Sequence, residues 1–498
     1  MSDAYILSID QGTASSRAII YDGGGKPVAQ HRTAHRQIYP EPGWVSHDPA
    51  EIYHNVEQAA YRAVEASGAL ASQIAAVGIT NQRETLVAWD ADTGEPVCDA
   101  VVWLCNRSAD ICARALADGM ESEIRAKTGL LVDPYFSATK LRWILDNVPR
   151  AAELAAKGRL LAGTVDCWLV WKLSGGKAHV TDYSNASRTM LFNIHTLKWD
   201  EELLRYFGVP RGVLPEVVPS SGIAAYTDES IFGAGIPITG IAGDQSAALF
   251  GQTCFAEGDM KNTYGTGCFI LKNIGEKPVL SENRLLTTIA WSIGGKTTYA
   301  LEGSIFNAGA AVEWLIGKAK LAVGVGEIQS ICESTPDTGD VYFVPAFAGL
   351  GAPHWDMSAR GSIFGMTLSA GKNEIVRAAM EAIAFQCRDV VAAADAEAGA
   401  GALTRRLRVD GGVSASDFLM QFQADILGIL VERPRDLETT ALGAAYLAGL
   451  GAGVYGNLAN IASRREIGAV FHPSKDAAWS GERYARWRKA VEKAKGWA

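Results

Sequence analysis

Gly240-Ile241-Ala242-Gly243-Asp244-Gln245-Ser246-Ala247-Ala248 closes a short apolar run, Ile236 to Ile241, with a glycine, one acid and then small helix-forming residues. That pattern predicts a strand ending in a tight turn, a carboxylate at its tip and a helix behind it. The chain opens on the same arrangement: Tyr5-Ile6-Leu7-Ser8-Ile9 leads into Asp10-Gln11-Gly12-Thr13-Ala14-Ser15-Ser16-Arg17. A lone strand-end aspartate is more often a turn or helix cap than a catalyst. Two of them, about 230 residues apart and each beside a glycine turn, predict two similar half-molecules facing one cleft.

The 498 residues exceed one ordinary core, so two large domains are expected. Apolar residues make up 48% and charged residues 20%, which leaves no difficulty in burying a core. The 46 basic and 55 acidic residues give a net charge of −9, which argues against general binding to nucleic acid or to anionic membranes. The cysteines at 98, 105, 112, 167, 254, 268, 332 and 387 include no C-x-x-C pair, so neither zinc nor a disulfide framework is indicated. No apolar run approaches the ~20 residues that span a bilayer. A soluble, cytoplasmic protein with reduced thiols and no membrane insertion is expected.

Local patterns extend the two-half reading. Ile6–Ile9, Ala18–Tyr21 and Pro27–Ala29 read as three strands, with Asp22-Gly23-Gly24-Gly25 turning between the last two. Asp48 is a good N-cap for a helix carrying Pro49 and Glu51 in its first turn. Strands follow over Ile74–Ile79 and Thr85–Trp89. In the second half, Thr263–Lys272 and Thr287–Trp291 read as strands, with Asn262 to Gly267 as a small polar turn. Glu374–Ala394 reads as a long helix capped by Asn373, Leu407–Val409 as a strand, and Phe418–Leu427 as a helix. The fold class is therefore α/β, with mixed sheets flanked by helices and a domain division at residues 1–251 and 252–498.

Three turns have the small residues that let backbone N–H groups approach a phosphate: Gly12–Ser16, Gly265-Thr266-Gly267 and Gly411-Gly412. Neither a P-loop nor the protein-kinase signature set is present. Gly451-Ala452-Gly453-Val454-Tyr455-Gly456 matches G-x-G-x-x-G but follows a helical run rather than a strand, so it is read as a helix end. Arg17 would either neutralise phosphate or pair with a nearby acid. Asp10, beside a phosphate turn, suits Mg²⁺, which takes few carboxylates and keeps several waters.

Ile9-Asp10-Gln11-Gly12-Thr13, Gly78-Ile79-Thr80-Asn81-Gln82-Arg83-Glu84-Thr85, Asp133-Pro134-Tyr135-Phe136-Ser137, Tyr183 to Asn193 and Gly349-Leu350-Gly351-Ala352-Pro353 resemble the FGGY carbohydrate kinases, and among them the glycerol kinases. The resemblance runs from about residue 5 to residue 450 and implies two ribonuclease-H-like domains of the actin/Hsp70 type, with ATP and a polyol meeting between them. It implies transfer of phosphate from ATP to glycerol, with Mg²⁺ near Asp10 and Asp244 and with Asp244 as general base. Arg83, Glu84, Tyr135, Asp244 and Gln245 resemble the residues that hold the glycerol hydroxyls, and Trp103 and Phe269 the wall against its carbons. Thr13, Ala14, Ser15, Arg17, Thr266, Gly309, Glu313, Gly412 and Ser416 occupy the positions of nucleotide contacts. A homo-oligomer, dimer or tetramer, is expected.

Four places depart from the commonest family pattern: Ala14 replaces a second threonine, Leu104-Cys105-Asn106 a polar and arginine run, Glu313 a glutamine, and Ser416 an asparagine. The loop Thr227 to Gly235 has neither the arginine used to bind fructose 1,6-bisphosphate nor the phosphorylated histidine of some bacterial relatives, so neither control is expected there. The alternatives are an FGGY kinase for erythritol or a pentulose, and an actin/Hsp70-like ATPase without a polyol. The second would leave the 83–84, 133–137 and 183–193 motifs without a task.

Overall fold

A computed structural model describes residues 4–397 and 402–498. In the first half, β1 (Tyr5–Gln11), β2 (Ser15–Tyr21) and β3 (Pro27–Ala34) form an antiparallel meander, followed by helix α1 (Pro49–Ser67). β4 (Ile74–Asn81) lies parallel to β1, and β6 (Pro237–Gly243) parallel to β4. β5 (Ser221–Tyr226) pairs antiparallel with β6. The second half repeats the plan. β7 (Met260–Tyr264), β8 (Cys268–Asn273), β9 (Leu286–Ile293) and β10 (Lys296–Ile305) form its meander, with β11 (Arg406–Asp410) parallel to β7 and β12 (Leu430–Pro434) parallel to β11. β13 (Ile467–Phe471) closes the edge.

All thirteen strands join in one sheet, in the order β13-β12-β11-β7-β8-β10-β9-β5-β6-β4-β1-β2-β3. The seam between halves is a single bridge, Ser221 to Ile293. In both halves the first, parallel-paired strand ends at the cleft in a glycine turn: β1 before Gly12, β7 before Gly265. The halves share one plan, but both acids, Asp10 on β1 and Asp244 after β6, belong to the first half, and the second half's counterpart of the first turn follows β7.

Two helices clamp the seam. α2 (Asp244–Gly251) runs from the end of β6, and α6 (Thr439–Gly451) crosses it while packing on β1, β4 and β6. α6 belongs to the second half by sequence and to the first half's sheet in space. It is apolar all round because both its faces are covered. The crossing needs glycine: a Cβ on Gly443 would stand 1.8 Å from the Ala247 carbonyl oxygen. α6 ends at Gly451, so the G-x-G-x-x-G segment is a helix end and no strand precedes it.

The Asp48 cap holds as expected, accepting from Ala50 N–H at 2.8 Å. Asn373 does not cap its helix, α4 (Lys372–Glu397), which α5 (Asp417–Leu427) follows in the chain. The Gly371 carbonyl takes the first helical bond, from Ile375, and places Asn373 inside the first turn. Asn262 to Tyr264 belong to β7 rather than to a turn, because they continue the ladder with Cys268 to Ile270. Among the described residues no helix is long and apolar enough to cross a membrane.

Candidate active site

Asp244 is the first residue of α2, and Gly243 occupies the cap position, so its carboxylate is not spent on capping. Oδ1 accepts from Gln245 N–H at 2.7 Å and lies 3.1 Å from Arg83 Nε. About a third of the side chain, 31%, reaches solvent. Burial of the rest raises its pKa above the usual aspartate value, against the pull of Arg83 and Lys261. Asp10, at the end of β1, is pushed up to about 7, first by burial; Arg17 opposes this, while Asp244 and Glu438 add to it.

Behind Asp244 sits a buried cage of charge. Arg83 clasps Glu302 with both terminal nitrogens, at 2.6 and 2.8 Å. Arg188 donates to Glu84 at 2.6 Å and to Glu302 at 3.3 Å. Glu302 comes from β10, so a carboxylate of the second half is locked between two arginines of the first. Burial opposes its charge, yet Arg188 and Arg83 prevail and hold it at about 2. Arg83 and Glu84, consecutive in the bend that follows β4, are both buried. Glu84 achieves this with φ +61, a left-handed backbone that costs a non-glycine residue roughly 1–3 kcal/mol and marks functional sites.

An aromatic wall stands across the cleft. The Trp103 ring lies edge-on to Tyr135 at 5.6 Å and to Phe269 at 6.5 Å. Its indole N–H donates to Thr13 Oγ1 at 2.9 Å, so the same ring supports the first phosphate turn. Lys140, buried, donates to the Pro134 carbonyl at 2.6 Å and to those of Tyr135 and Phe136, which fixes the Asp133–Phe136 bend. The Tyr135 phenol is pushed up by burial and by the nearby Glu84.

The nucleotide-like end is built from backbone. Gly12 N–H donates to the Ser15 carbonyl at 2.9 Å, closing the β1–β2 turn. The Thr13 carbonyl accepts from His35 Nε2 and Gln37 Nε2, each at 2.7 Å, and His47 Nε2 bonds Gln37 Oε1 at 2.8 Å. Burial and the adjacent His35 lower His47 to about 4, so it is neutral at pH 7. Arg32 donates to Ser15 Oγ at 2.7 Å. Ala14 is exposed at the tip. Arg17 pairs with Glu438, at the start of α6, which is the acid-pairing alternative in the free protein.

In the second half the Thr266 carbonyl accepts from Ala308 and Ala310 N–H at 2.9 and 3.0 Å, tying the turn to helix α3 (Gly309–Gly317). A pocket of about 550 Å³ opens beside it. Gly309, Glu313, Gly412 and Ser416 all line it, with Val312, Ile328, Met380 and Val413 as apolar walls. Gln329 lines it too and accepts from Ser416 Oγ at 2.8 Å. Thr266 is exposed on the turn and is not part of this lining.

The polyol-type set Arg83, Glu84, Tyr135, Asp244, Gln245, Trp103 and Phe269 thus gathers at one end of the cleft. Sequence reasoning missed Glu302, Arg188, Lys261, Gln329, His35 and His47. Arg188 lay inside a motif already singled out. Lys261 carried a signal, the one charge in an otherwise uncharged strand, whereas Glu302 shares β10 with Lys296 and carried none. Gln329, on an exposed amphipathic helix, carried none.

Residues 5–251 match the N-terminal domain of the FGGY family of carbohydrate kinases, and residues 260–452 its C-terminal domain. The chain belongs to that family. It is 54% identical over 498 residues, all of both chains, to a glycerol kinase of Symbiobacterium thermophilum. It is 54% identical over 493 residues, 99% of each chain, to glycerol kinase 2 of Thermotoga maritima. A crystal structure of Plasmodium falciparum glycerol kinase with ADP superposes with a TM-score of 0.93 at 38% identity, covering 99% of this chain and 98% of that one. A xylulose kinase from Lactobacillus acidophilus shares the fold, with a TM-score of 0.89 at 23% identity over 99% of each chain.

Proposed function

We propose that this chain transfers the γ-phosphoryl group of ATP to a terminal hydroxyl of glycerol, giving sn-glycerol 3-phosphate and ADP. The observation that carries the reading is the buried Arg83–Glu302–Arg188–Glu84 cage, with the partly exposed Asp244 carboxylate set against Arg83. The full-length likeness to glycerol kinases points the same way.

Glycerol is small and uncharged, with three hydroxyls and three carbons, so a site for it must match several hydroxyls at once. Each buried polar group left unmatched costs about 1–3 kcal/mol. Glu302 occupies only part of the Arg83 fork, and the remaining N–H bonds are donors for hydroxyls. Glu84 and Asp244 are acceptors, and Trp103 and Phe269 cover the carbon face. Asp244 takes the proton of the attacking hydroxyl while its oxygen bonds to Pγ and the bond from Pγ to the β-bridging oxygen breaks. ADP leaves in line. Positioning and electrostatics supply most of the acceleration in such transfers.

Asp10 and Asp244 fit a nucleotide-bound Mg²⁺. Asp10 is a carboxylate that accepts no hydrogen bond from the described residues, and Arg17 is committed to Glu438. Among the described residues no group of three metal-binding side chains occurs, which suits an ion held mainly by phosphate and water. When bound, the ion neutralises phosphate charge. The Thr227–Gly235 loop presents Asp228 and Glu229, and we expect no response to fructose 1,6-bisphosphate through it.

The test is ADP release from MgATP with glycerol, erythritol and xylulose as acceptors. Glycerol should exceed the others by at least about 10²-fold in kcat/KM, as hydroxyl-reading and shape-limited sites allow. Asp244→Asn should lower turnover by roughly 10²–10⁴-fold while MgATP affinity stays within a few-fold. Equal use of xylulose, or near-normal turnover in Asp244→Asn, would overturn the reading.

A further inference from the structure

Lys261, on β7, is fully buried, yet among the described residues it forms no ion pair. Its ammonium donates to two neutral oxygens instead: Gln245 Oε1 and, at 2.9 Å, Thr263 Oγ1. An enclosed cation with only neutral partners is costly, so its place calls for a reason beyond packing.

The contact with Gln245 decides how that carboxamide is turned. An ammonium can only donate, so the atom facing Lys261 must be the amide oxygen. The Gln245 NH2 group is then left over: it donates to no described protein group, and it is not among the polar atoms sealed from solvent without a partner. Gln245 follows Asp244 at the start of α2, with 7% of its surface still exposed.

We propose that Lys261 is a positioning residue for polyol recognition: it fixes the Gln245 carboxamide with its oxygen inward, so that Gln245 meets the substrate as a donor only. The hydroxyl opposite Gln245 must therefore accept, while those opposite Glu84 and Asp244 donate. The ammonium's uncommon setting agrees: burial lowers its pKa to about 8, against the pull of Asp410 and Asp244. This inference rests on the glycerol kinase reading.

The test compares the whole enzyme with Lys261→Met, Lys261→Gln and Gln245→Glu, reading KM for glycerol and for MgATP separately. Lys261→Met frees the carboxamide to flip and should raise the glycerol KM about tenfold or more, with the MgATP KM within about twofold. Lys261→Gln restores an N–H facing Gln245 and should bring the glycerol KM back to within about threefold of wild type. Should Lys261→Met fail to fold, Gln245→Glu decides alone: it keeps the inward contact, removes the outward donor, and should raise the glycerol KM about tenfold. An unchanged glycerol KM in the folded Lys261→Met protein or in Gln245→Glu overturns the inference and leaves the function standing. So does a Lys261→Gln enzyme no better than Lys261→Met. A wild-type enzyme inactive on glycerol overturns both.

Discussion

The two ends of the cleft are made of different material. At the end proposed for the polyol, the side chains are buried, charged and mutually bonded, with Glu302 shared between Arg83 and Arg188. At the end proposed for the nucleotide lie backbone turns and a slot whose polar side chains, Glu313 among them, stand in contact with water. A small neutral triol offers few contacts, so each must be set in advance. A nucleotide offers phosphates and a flat base, which backbone N–H groups and apolar walls can hold with little dependence on any one side chain. The departures at Ala14, Glu313 and Ser416 all fall at the second end, where this material tolerates them.

The comparison breaks most readily at Glu302. Glu302→Gln keeps the shape but leaves two buried guanidinium groups without their shared counter-charge. Removing one partner of a buried pair costs about 3–5 kcal/mol, so the loss should be plain in urea unfolding. The glycerol KM should rise at least about 100-fold, since Arg83 is no longer held, while the MgATP KM moves by less than about threefold. A variant whose MgATP KM moved most would mean that the cage serves the nucleotide.

At the other end the sensitive atoms are glycines. A Cβ on Gly309 would stand 2.7 Å from the Gly265 carbonyl oxygen, which accepts the Gly309 N–H at 3.0 Å. Gly309→Ala must therefore push the 265–267 turn away from α3. We expect a rise of about tenfold in the MgATP KM, the equivalent of one lost hydrogen bond, with glycerol binding unchanged. Steady-state kinetics with each substrate varied in turn would separate the two.

How much of this could be read beforehand follows the same division. The strand-end acids, the glycine turns and the Asp48 cap are local patterns, although both acids belong to the first half. Arg83, Glu84 and Asp244 stood in recognisable motifs. Glu302 was not legible, because its meaning depends on β10 lying against two arginines more than a hundred residues away in the chain. The crossing of α6 onto the first half's sheet was hidden for the same reason: a helix apolar on every side announces burial without naming what buries it. Arg17 was balanced between phosphate and acid, and only the fold brought Glu438 to it.

The two ends should also lose stability in different pH windows. His47 is lowered to about 4 from an ordinary 6.5, so it stays neutral in the folded protein while the unfolded chain takes up a proton. Its contribution is complete above about pH 6.5 and is lost progressively as pH falls to about 4. Glu302, held at about 2 against an ordinary 4.5, contributes above 4.5 and loses that contribution as pH falls to 2. The gap in unfolding free energy between wild type and His47→Gln should therefore shift against the wild type as pH falls from 7 to 4.5, whereas the gap between wild type and Glu302→Gln should hold over that range. A His47→Gln gap that does not change with pH would remove the histidine pair from the account of the first turn's support.

The smallest effect belongs to Glu313, which sharpens the contrast because it is a charge in the nucleotide slot. The residue is exposed, so water and salt screen its repulsion of a bound polyanion. Glu313→Gln should improve the MgATP KM by only about two- to threefold, as befits a screened surface charge. The gain should fade between about 50 and 500 mM salt as the screening length shrinks, and the glycerol KM should not move. A loss of tenfold or more would carry the opposite meaning. It would show the carboxylate accepting a hydrogen bond from the base itself, and the nucleotide end would then depend on a side chain as strictly as the polyol end depends on Glu302.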